Sequence, residues 1–405
     1  MIDALSLNAR EARAAAPASA ASSRTAVFLT HTSFASPFRV GSHQLTKALD
    51  DEGWKVLHIP TPVTAGHLAL SCWRSDYWRR CAGAFSVRRL FDRAHEIVPL
   101  APIPWQCARL IPQRATALYP MAQPIVSRCV RSLGFGKPDV LFLDEPRLLG
   151  LCRLFRPNAL IYRATDLYHQ MMGDESIIAV ERLALETAQG FIATSQPVYD
   201  HLRSLAPSKP GLLVENGVDF EHFHSFASEP ADLAAIPQPR AVYVGALDER
   251  FDFRAIQALA LARPQWSIVL IGPRGGNQLW ADKLANVYFL GARPYEKIPG
   301  YLHHSSVALL PLSDHPANAG RSPMKIYEYG AAGLPVITVD TAELTRRNLQ
   351  FVRTYRSVAT LPSTVSAAFA DREQLRASAV AVAREMSWKG RWDLISTFCQ
   401  ATTSP

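Results

Sequence analysis

The chain has 405 residues, of which 48% are hydrophobic, 19% charged and 9% aromatic. That composition excludes a disordered, collagen-like or small disulfide-stapled protein and leaves room for two or three domains. Forty-three Lys and Arg against 35 Asp and Glu give a net charge of +8, a total that leaves nucleic acid, anionic membrane and phosphorylated substrates all open. The six cysteines (Cys72, Cys81, Cys107, Cys129, Cys152, Cys399) show no CxxC and no zinc-like spacing, which points to a reducing cytoplasm, and no apolar run reaches the roughly 18 residues of a membrane span.

Residues 1–25 are rich in Ala and Ser, but Asp3, Glu11 and Pro17 spoil the pattern of a signal peptide, so they read as a disordered tail. Short β-branched and apolar runs then alternate with helical patterns, as parallel sheets with crossover helices require: AVFLT at 26–30, WKVLHIP at 54–60, DVLFLD at 139–144, ALIYRA at 159–164, FIATS at 191–195 and LLVEN at 212–216. Residues 70–135 interrupt that rhythm. They hold Arg74, Arg79, Arg80, Arg88, Arg89, Arg93, Arg109, Arg114, Arg128 and Arg131 against Asp76, Asp92 and Glu96, with Trp73, Tyr77, Trp78, Phe85, Phe91 and Trp105 interleaved. Nearly all of the net charge falls there, leaving +1 for the other 339 residues. Such a mixture suits a bilayer interface, where rings sit at headgroup depth and each cation gains about 1 kcal/mol from anionic lipid. It is also the composition of a solvated crossover, and no RNA-binding motif accompanies it.

Residues 224–240 contain three prolines and no strand pattern, and read as a linker. The rhythm restarts with AVYVG at 241–245, WSIVLIG at 266–272, NVYFLG at 286–291, VALLPL at 307–312 and PVITV at 335–339, and a helical pattern over 373–400 places Trp388 and Trp392 on one face. The predicted fold is therefore α/β: two doubly wound Rossmann-like domains, 26–223 and 241–386, facing each other across a cleft, with a C-terminal helix at 387–405 packing back on the first.

The segment from Arg321 to Val336, RSPMKIYEYGAAGLPV, carries the most chemistry. Ser322 and Pro323 suit a helix start, Gly333 a helix end and Pro335-Val336 a strand start. A helix N-terminus beside a hydroxyl and Lys325 favours an anion such as phosphate. Glu328 lies on the face of Lys325, where its carboxylate can accept from both hydroxyls of a ribose or pair with Lys325 as a surface ion pair. Asp166, in Tyr162-Arg163-Ala164-Thr165-Asp166 at a strand C-terminus, is placed to act as a base in the cleft or to cap the helix that follows. His31, Arg39 and His43 flank the loop after the first strand, and Gly41-Ser42 opens the next helix. Either histidine is as readily a structural cap as an acceptor contact. Gly272-Pro273-Arg274-Gly275-Gly276 follows a strand and can bring amides to a phosphate, or be a plain loop.

Together these stretches resemble the GT-B glycosyltransferases. The Ser322-to-Val336 segment is similar to their donor-site motif, Val214 to Asp219 (VENGVD) to the turn closing their first domain, and Tyr243-Val244-Gly245-Ala246-Leu247 and Asn286 to Gly291 to strands of their donor domain. The resemblance implies a nucleotide diphosphate sugar held by Ser322, Met324, Lys325 and Glu328, with Gly245 and Gly272 in the donor domain, Gly291 and Arg293 near the base, and Arg250 near the diphosphate. In family four an acidic residue stands eight positions before the counterpart of Glu328, where this chain has Gly320. The glucuronosyltransferases of xanthan assembly are more similar, with Asp166 matching their base and His31, Phe34, Pro37, Arg39 and His43 their first loop. That resemblance implies inverting transfer of glucuronate from UDP-glucuronate to a lipid-linked saccharide, at the inner face of the cell membrane. Two cations near the leaving diphosphate, and the absence of any Asp-x-Asp, lead us to expect no metal and no other cofactor. The alternatives are a retaining family-four enzyme, a non-catalytic nucleotide-sugar-binding protein, and an epimerase on the same fold. No nucleic-acid partner is expected.

Overall fold

The computed structural model describes residues 24–403, apart from Pro37, 65–74, Phe85, Pro102, 112–114, 120–122 and 276–283. The tail at 1–23 and Trp73, Arg74, Phe85, Arg114 and Gly276 therefore lie outside the described residues, as do the side chains of Asp76, Tyr77 and Arg79.

Two parallel sheets organise the chain. The first contains β1 (Thr25–Thr30), β2 (Lys55–Pro60), β3 (Arg88–Arg89), β4 (Ala94–Glu96), β5 (Val140–Leu143), β6 (Ala159–Ala164), β7 (Gly190–Ala193) and β8 (Gly211–Leu213), in the spatial order β8-β7-β6-β5-β1-β2-β4-β3. Only the β3–β4 pairing is antiparallel. The second contains β9 (Arg240–Val244), β10 (Ser267–Ile271), β11 (Val287–Gly291), β12 (Val307–Leu310), β13 (Val336–Val339) and β14 (Val352–Tyr355), in the order β11-β10-β9-β12-β13-β14. Both orders reverse direction beside the first strand of their sheet, and at such a switch point the strand C-termini leave a crevice.

The continuous apolar runs sit at the sheet centres because helices cover both faces. Val27, Phe28, Leu29, Leu141, Phe142, Ile161, Val242, Ile268, Leu270 and Val336 are wholly buried. Three strands escape the apolar pattern. Arg88–Arg89 and Ala94–Glu96 lie within the arginine-rich stretch, and Val352–Tyr355 is a half-exposed edge. The linker carries a short helix, Ala231–Ala234, whose Asp232 belongs to the cleft architecture described below.

The chain then returns to its first domain. The C-terminal helix α4 (Trp388–Thr403) buries Trp388, Trp392 and Ile395 against Ala26, Phe28 and Phe142 of the first sheet. Trp392 meets Trp54 edge to face at 5.2 Å and donates its indole N–H to Glu52 at 2.9 Å. Among the described residues no helix is long and apolar enough to cross a membrane.

Within 70–135 the aromatic residues divide. Trp105 is buried beside Tyr119 and donates to Asp174, so it belongs to the core and not to an interfacial ring belt. Phe91 packs edge-on against Phe34. Trp78, Leu110, Ile111 and Ile125 stand exposed, Leu110 at 77%.

Candidate functional site

Helix α2 (Lys325–Ala331) follows β12 and begins at Lys325, two residues after Pro323, with no side-chain cap on its first turn. Ser322 does not start it. Its hydroxyl instead accepts from the Asn216 amide at 3.3 Å and from Arg347 at 3.0 Å, while its carbonyl accepts from the Asn216 side chain at 2.8 Å. Ser322 is thus a joint between the domains at the floor of the cleft. The helix is oriented by its buried face, Ile326, Tyr327 and Tyr329, and the Tyr329 hydroxyl accepts from Val244 N–H at 2.9 Å. That anchoring turns Lys325 and Glu328 toward the cleft, which they line together with Met324 and Pro323.

No ion pair within 4 Å joins Lys325 to Glu328 among the described residues, so the surface-pair reading does not describe them. Burial lowers the Lys325 pKa to about 8, opposed by Glu328 and reinforced by Arg321 and Arg250. Burial likewise raises the Glu328 carboxyl above its ordinary range, opposed by Lys325. A cation and a carboxylate held partly desolvated and unpaired are prepared for groups that a ligand brings.

Three of the candidate glycines end adjacent strands. Gly245 N–H donates to Ile271 at the end of β10, and Gly272 N–H donates to Gly291 at the end of β11. A Cβ on Gly272 would fall 1.7 Å from the Gly245 carbonyl oxygen, and one on Gly245 would fall 2.6 Å from Lys325 Cε. Side chains are therefore excluded from this wall, and backbone can approach a ligand closely. Gly245, Gly272 and Arg293 line a side chamber that shares Lys325 and Glu328 with the main cavity; Gly291 is not among the residues that line it. Arg293 is tied to Asp232 at 2.7 Å and to the Tyr301 hydroxyl at 2.9 Å. Arg250 lines the main cavity, paired with Asp248.

The opposite wall belongs to the first domain. Asp166 follows β6 and receives the Thr165 hydroxyl at 3.1 Å. The helix that follows, Tyr168–Met172, has no side-chain cap, so capping is not what Asp166 does. Desolvation raises its pKa, against the pull of Arg321, His31 and Arg250. His31, Arg39 and the first residues of α1 (Gly41–Asp51) line the same cavity of 350 Å³ as Asp166, Lys325 and Glu328.

His43 does not join them. It is buried, with its Nε2 3.0 Å from the Thr32 carbonyl and its ring 4.0 Å from Phe34. Burial beside His58 holds its pKa well below the ordinary histidine range, a neutral core histidine and not an acceptor contact. Two residues of helix separate His43 from Gly41, a little over half a turn, which carries it from the cleft into the core.

Some residues of the site escape a reading by motif. Arg321 lines the cavity next to Asp166 and Lys325 and acts electrostatically on both; its position at the head of the donor-site segment was the available signal. Asn216 looks like an ordinary Asn-Gly turn, yet it bridges to Ser322. Helix α3 (Ala342–Arg347) supplies Arg347 to Ser322 and Glu343 to the amide of Gln196 at 3.2 Å, a cross-domain contact with no local sequence signature. Arg163 is neutralised by the buried carboxylate of Asp144.

Residues 238–371 match the family described as glycosyl transferases group 1. TuaH of Bacillus subtilis (strain 168), named for a glycosyltransferase role in teichuronic acid biosynthesis, is 26% identical over 251 residues, or 57% of this chain; the chain spans 63% of that relative's length. Among solved structures, the sucrose-phosphate synthase of Thermosynechococcus elongatus superposes with a TM-score of 0.70 at 16% identity, covering 93% of this chain and 99% of that one. Anabaena HepE in complex with UDP and glucose superposes with a TM-score of 0.65 at 15% identity, covering 93% and 100%. The architecture is the GT-B fold, and the stretch that matches the group 1 glycosyl transferases lies in its second domain.

Proposed function

We propose that this chain is a glycosyltransferase of cell-surface glycan assembly that takes a nucleotide diphosphate sugar, UDP-glucuronate, and transfers the sugar with inversion to a lipid-linked saccharide. One observation carries the reading: Asp166 of the first domain and Lys325 and Glu328 of the second line a single cavity between the two domains. A donor seated on α2 would place its diphosphate at Lys325 and its ribose at Glu328. An acceptor hydroxyl entering along His31 and Arg39 would meet Asp166, whose carboxylate takes the proton as the oxygen attacks the anomeric carbon from the face opposite the diphosphate.

The choice of donor rests on charge. With Arg163 paired to Asp144 and Arg250 to Asp248, Arg39, Arg321 and Lys325 are the cations of the cavity set against Asp166 and Glu328. Three such cations are enough to contact a diphosphate and, beyond it, a sugar carboxylate. Cations around the leaving diphosphate stabilise its developing charge without a metal. The exposed Trp78, Leu110, Ile111 and Ile125 on the arginine-rich first domain suit contact with anionic lipid at the inner face of the cell membrane.

Incubating the protein with UDP-glucuronate and a lipid-linked acceptor, and determining the anomeric configuration of the product by NMR, tests the proposal. An inverted linkage is expected. A retained configuration would favour a family-four-like retaining enzyme, and the absence of transfer from any nucleotide sugar, with binding intact, would favour a non-catalytic binding protein.

A further inference from the structure

We propose that His169, Glu181 and His201 form a binding site for a divalent cation of the Zn²⁺ class, separate from the donor cavity and built under the loop that carries Asp166. The three residues come from successive elements: His169 from the short helix Tyr168–Met172, Glu181 from the helix Ser176–Thr187 and His201 from the helix Gln196–Leu205. One ligand atom from each lies within 4.8 Å of the other two. Glu181 is wholly buried; one of its oxygens accepts from the Tyr162 hydroxyl at 2.7 Å and the other lies 2.9 Å from His201 Nε2. The His169 ring lies against that of His201 at 4.8 Å, and its Nδ1 is buried without a hydrogen-bond partner.

A hydrogen-bond network accounts for only part of this. Tyr162 and His201 already satisfy the two carboxylate oxygens, so the second imidazole is superfluous to them. Among the described residues no Lys or Arg pairs with Glu181; its ion-pair partner is His201 at 2.9 Å, so the buried carboxylate has only imidazoles beside it. A divalent cation removes both difficulties, neutralising the carboxylate and giving each imidazole a lone-pair acceptor. Two nitrogens and one carboxylate oxygen suit Zn²⁺, Co²⁺ or Ni²⁺ better than the all-oxygen preference of Mg²⁺ or Ca²⁺. Tyr162, donating to the far oxygen of Glu181, occupies the place of an outer partner that orients a metal-bound carboxylate. Because His169 lies three residues beyond Asp166, the ion would brace the loop that holds Asp166 without touching a substrate.

Untagged full-length protein, stripped with a chelator and then titrated with ZnCl₂, tests this by calorimetry and thermal unfolding. One saturating ion per chain and a raised melting temperature are expected. His169→Gln and His201→Gln should each weaken Zn²⁺ binding more than roughly 100-fold, and Tyr162→Phe by about 10- to 100-fold, with UDP binding unchanged in all three. Absence of saturable Zn²⁺ binding, or equal affinity in the parent and both histidine variants, would overturn the proposal. Unchanged UDP binding in the variants keeps this outcome distinct from any failure of the donor-site reading.

Discussion

A Cβ placed on Gly320 would stand 2.8 Å from the backbone nitrogen of Leu167, the residue next to Asp166. The Gly320 carbonyl meanwhile accepts from the Ser195 hydroxyl at 2.8 Å, so the loop is held from the first domain and cannot simply retreat. The position that carries an acidic residue in family four is here a backbone seat for the loop of Asp166. Gly320→Glu should not restore a retaining carboxylate. It should displace Leu167, cost about 1–3 kcal/mol of stability as an overpacking change, and depress transfer; product stereochemistry and a denaturation curve together check it. Retained-configuration product at undiminished stability would contradict the packing argument.

Asp166→Asn keeps the shape of the side chain and removes the proton acceptor. We expect turnover to fall by roughly 10²- to 10⁴-fold while affinity for UDP changes little, because the proposed donor contacts lie on the other domain. Burial raises the Asp166 pKa, so the acid limb of kcat/KM for the parent should fall above the ordinary carboxylate range, and should disappear in the residual activity of the variant.

Donor binding should be sensitive to alkali, with Lys325 as the proposed seat of the diphosphate. With its pKa lowered to about 8, the free protein loses this charge as the pH rises from 7 to 9, and affinity for UDP should weaken across that interval. Lys325→Met should bind weakly and with a flatter profile. The linkage to stability has the opposite sense: the unfolded lysine titrates near about 10.4, so between about 8 and 10.4 the unfolded chain holds the extra proton. The cost of burying the cation is present below pH 8 and is relieved as the pH rises through that window. Urea midpoints of the parent and Lys325→Met should therefore converge with rising pH.

The alternation of apolar runs with helical patterns made both sheets legible, since strands covered on two faces must be apolar throughout. Arg88–Arg89 and Ala94–Glu96 were not, because a two-residue edge strand and the three-residue strand paired beside it are too short and polar to carry such a pattern. The common face of Lys325 and Glu328 was legible because the two share one short helix, so spacing alone fixes it. Contacts that join distant segments left no trace. Ser322 was read as a helix start yet serves as acceptor for Asn216 and Arg347. His31 and His43 were each as readily a structural cap as an acceptor contact, and the structure separates them, placing His31 on the cavity and His43 in the core.

The C-terminal helix offers a test of how the first domain is stabilised from the end of the chain. Trp392 is buried between Trp54 and Phe142 and donates to Glu52, so its removal deletes a large apolar surface and leaves a carboxylate without its donor. Trp392→Ala should cost about 3–5 kcal/mol, and Trp392→Phe distinctly less, since the ring remains while the indole N–H is lost. The loss should be confined to the first domain. UDP-induced protection of α2 in hydrogen exchange should persist in Trp392→Ala at temperatures where amides of β1 and β5 have begun to exchange faster than in the parent, because β9 to β14 carry a separate core. Simultaneous loss of protection in both sheets would show instead that the two domains unfold as one unit, with the Ser322 joint and α4 coupling them.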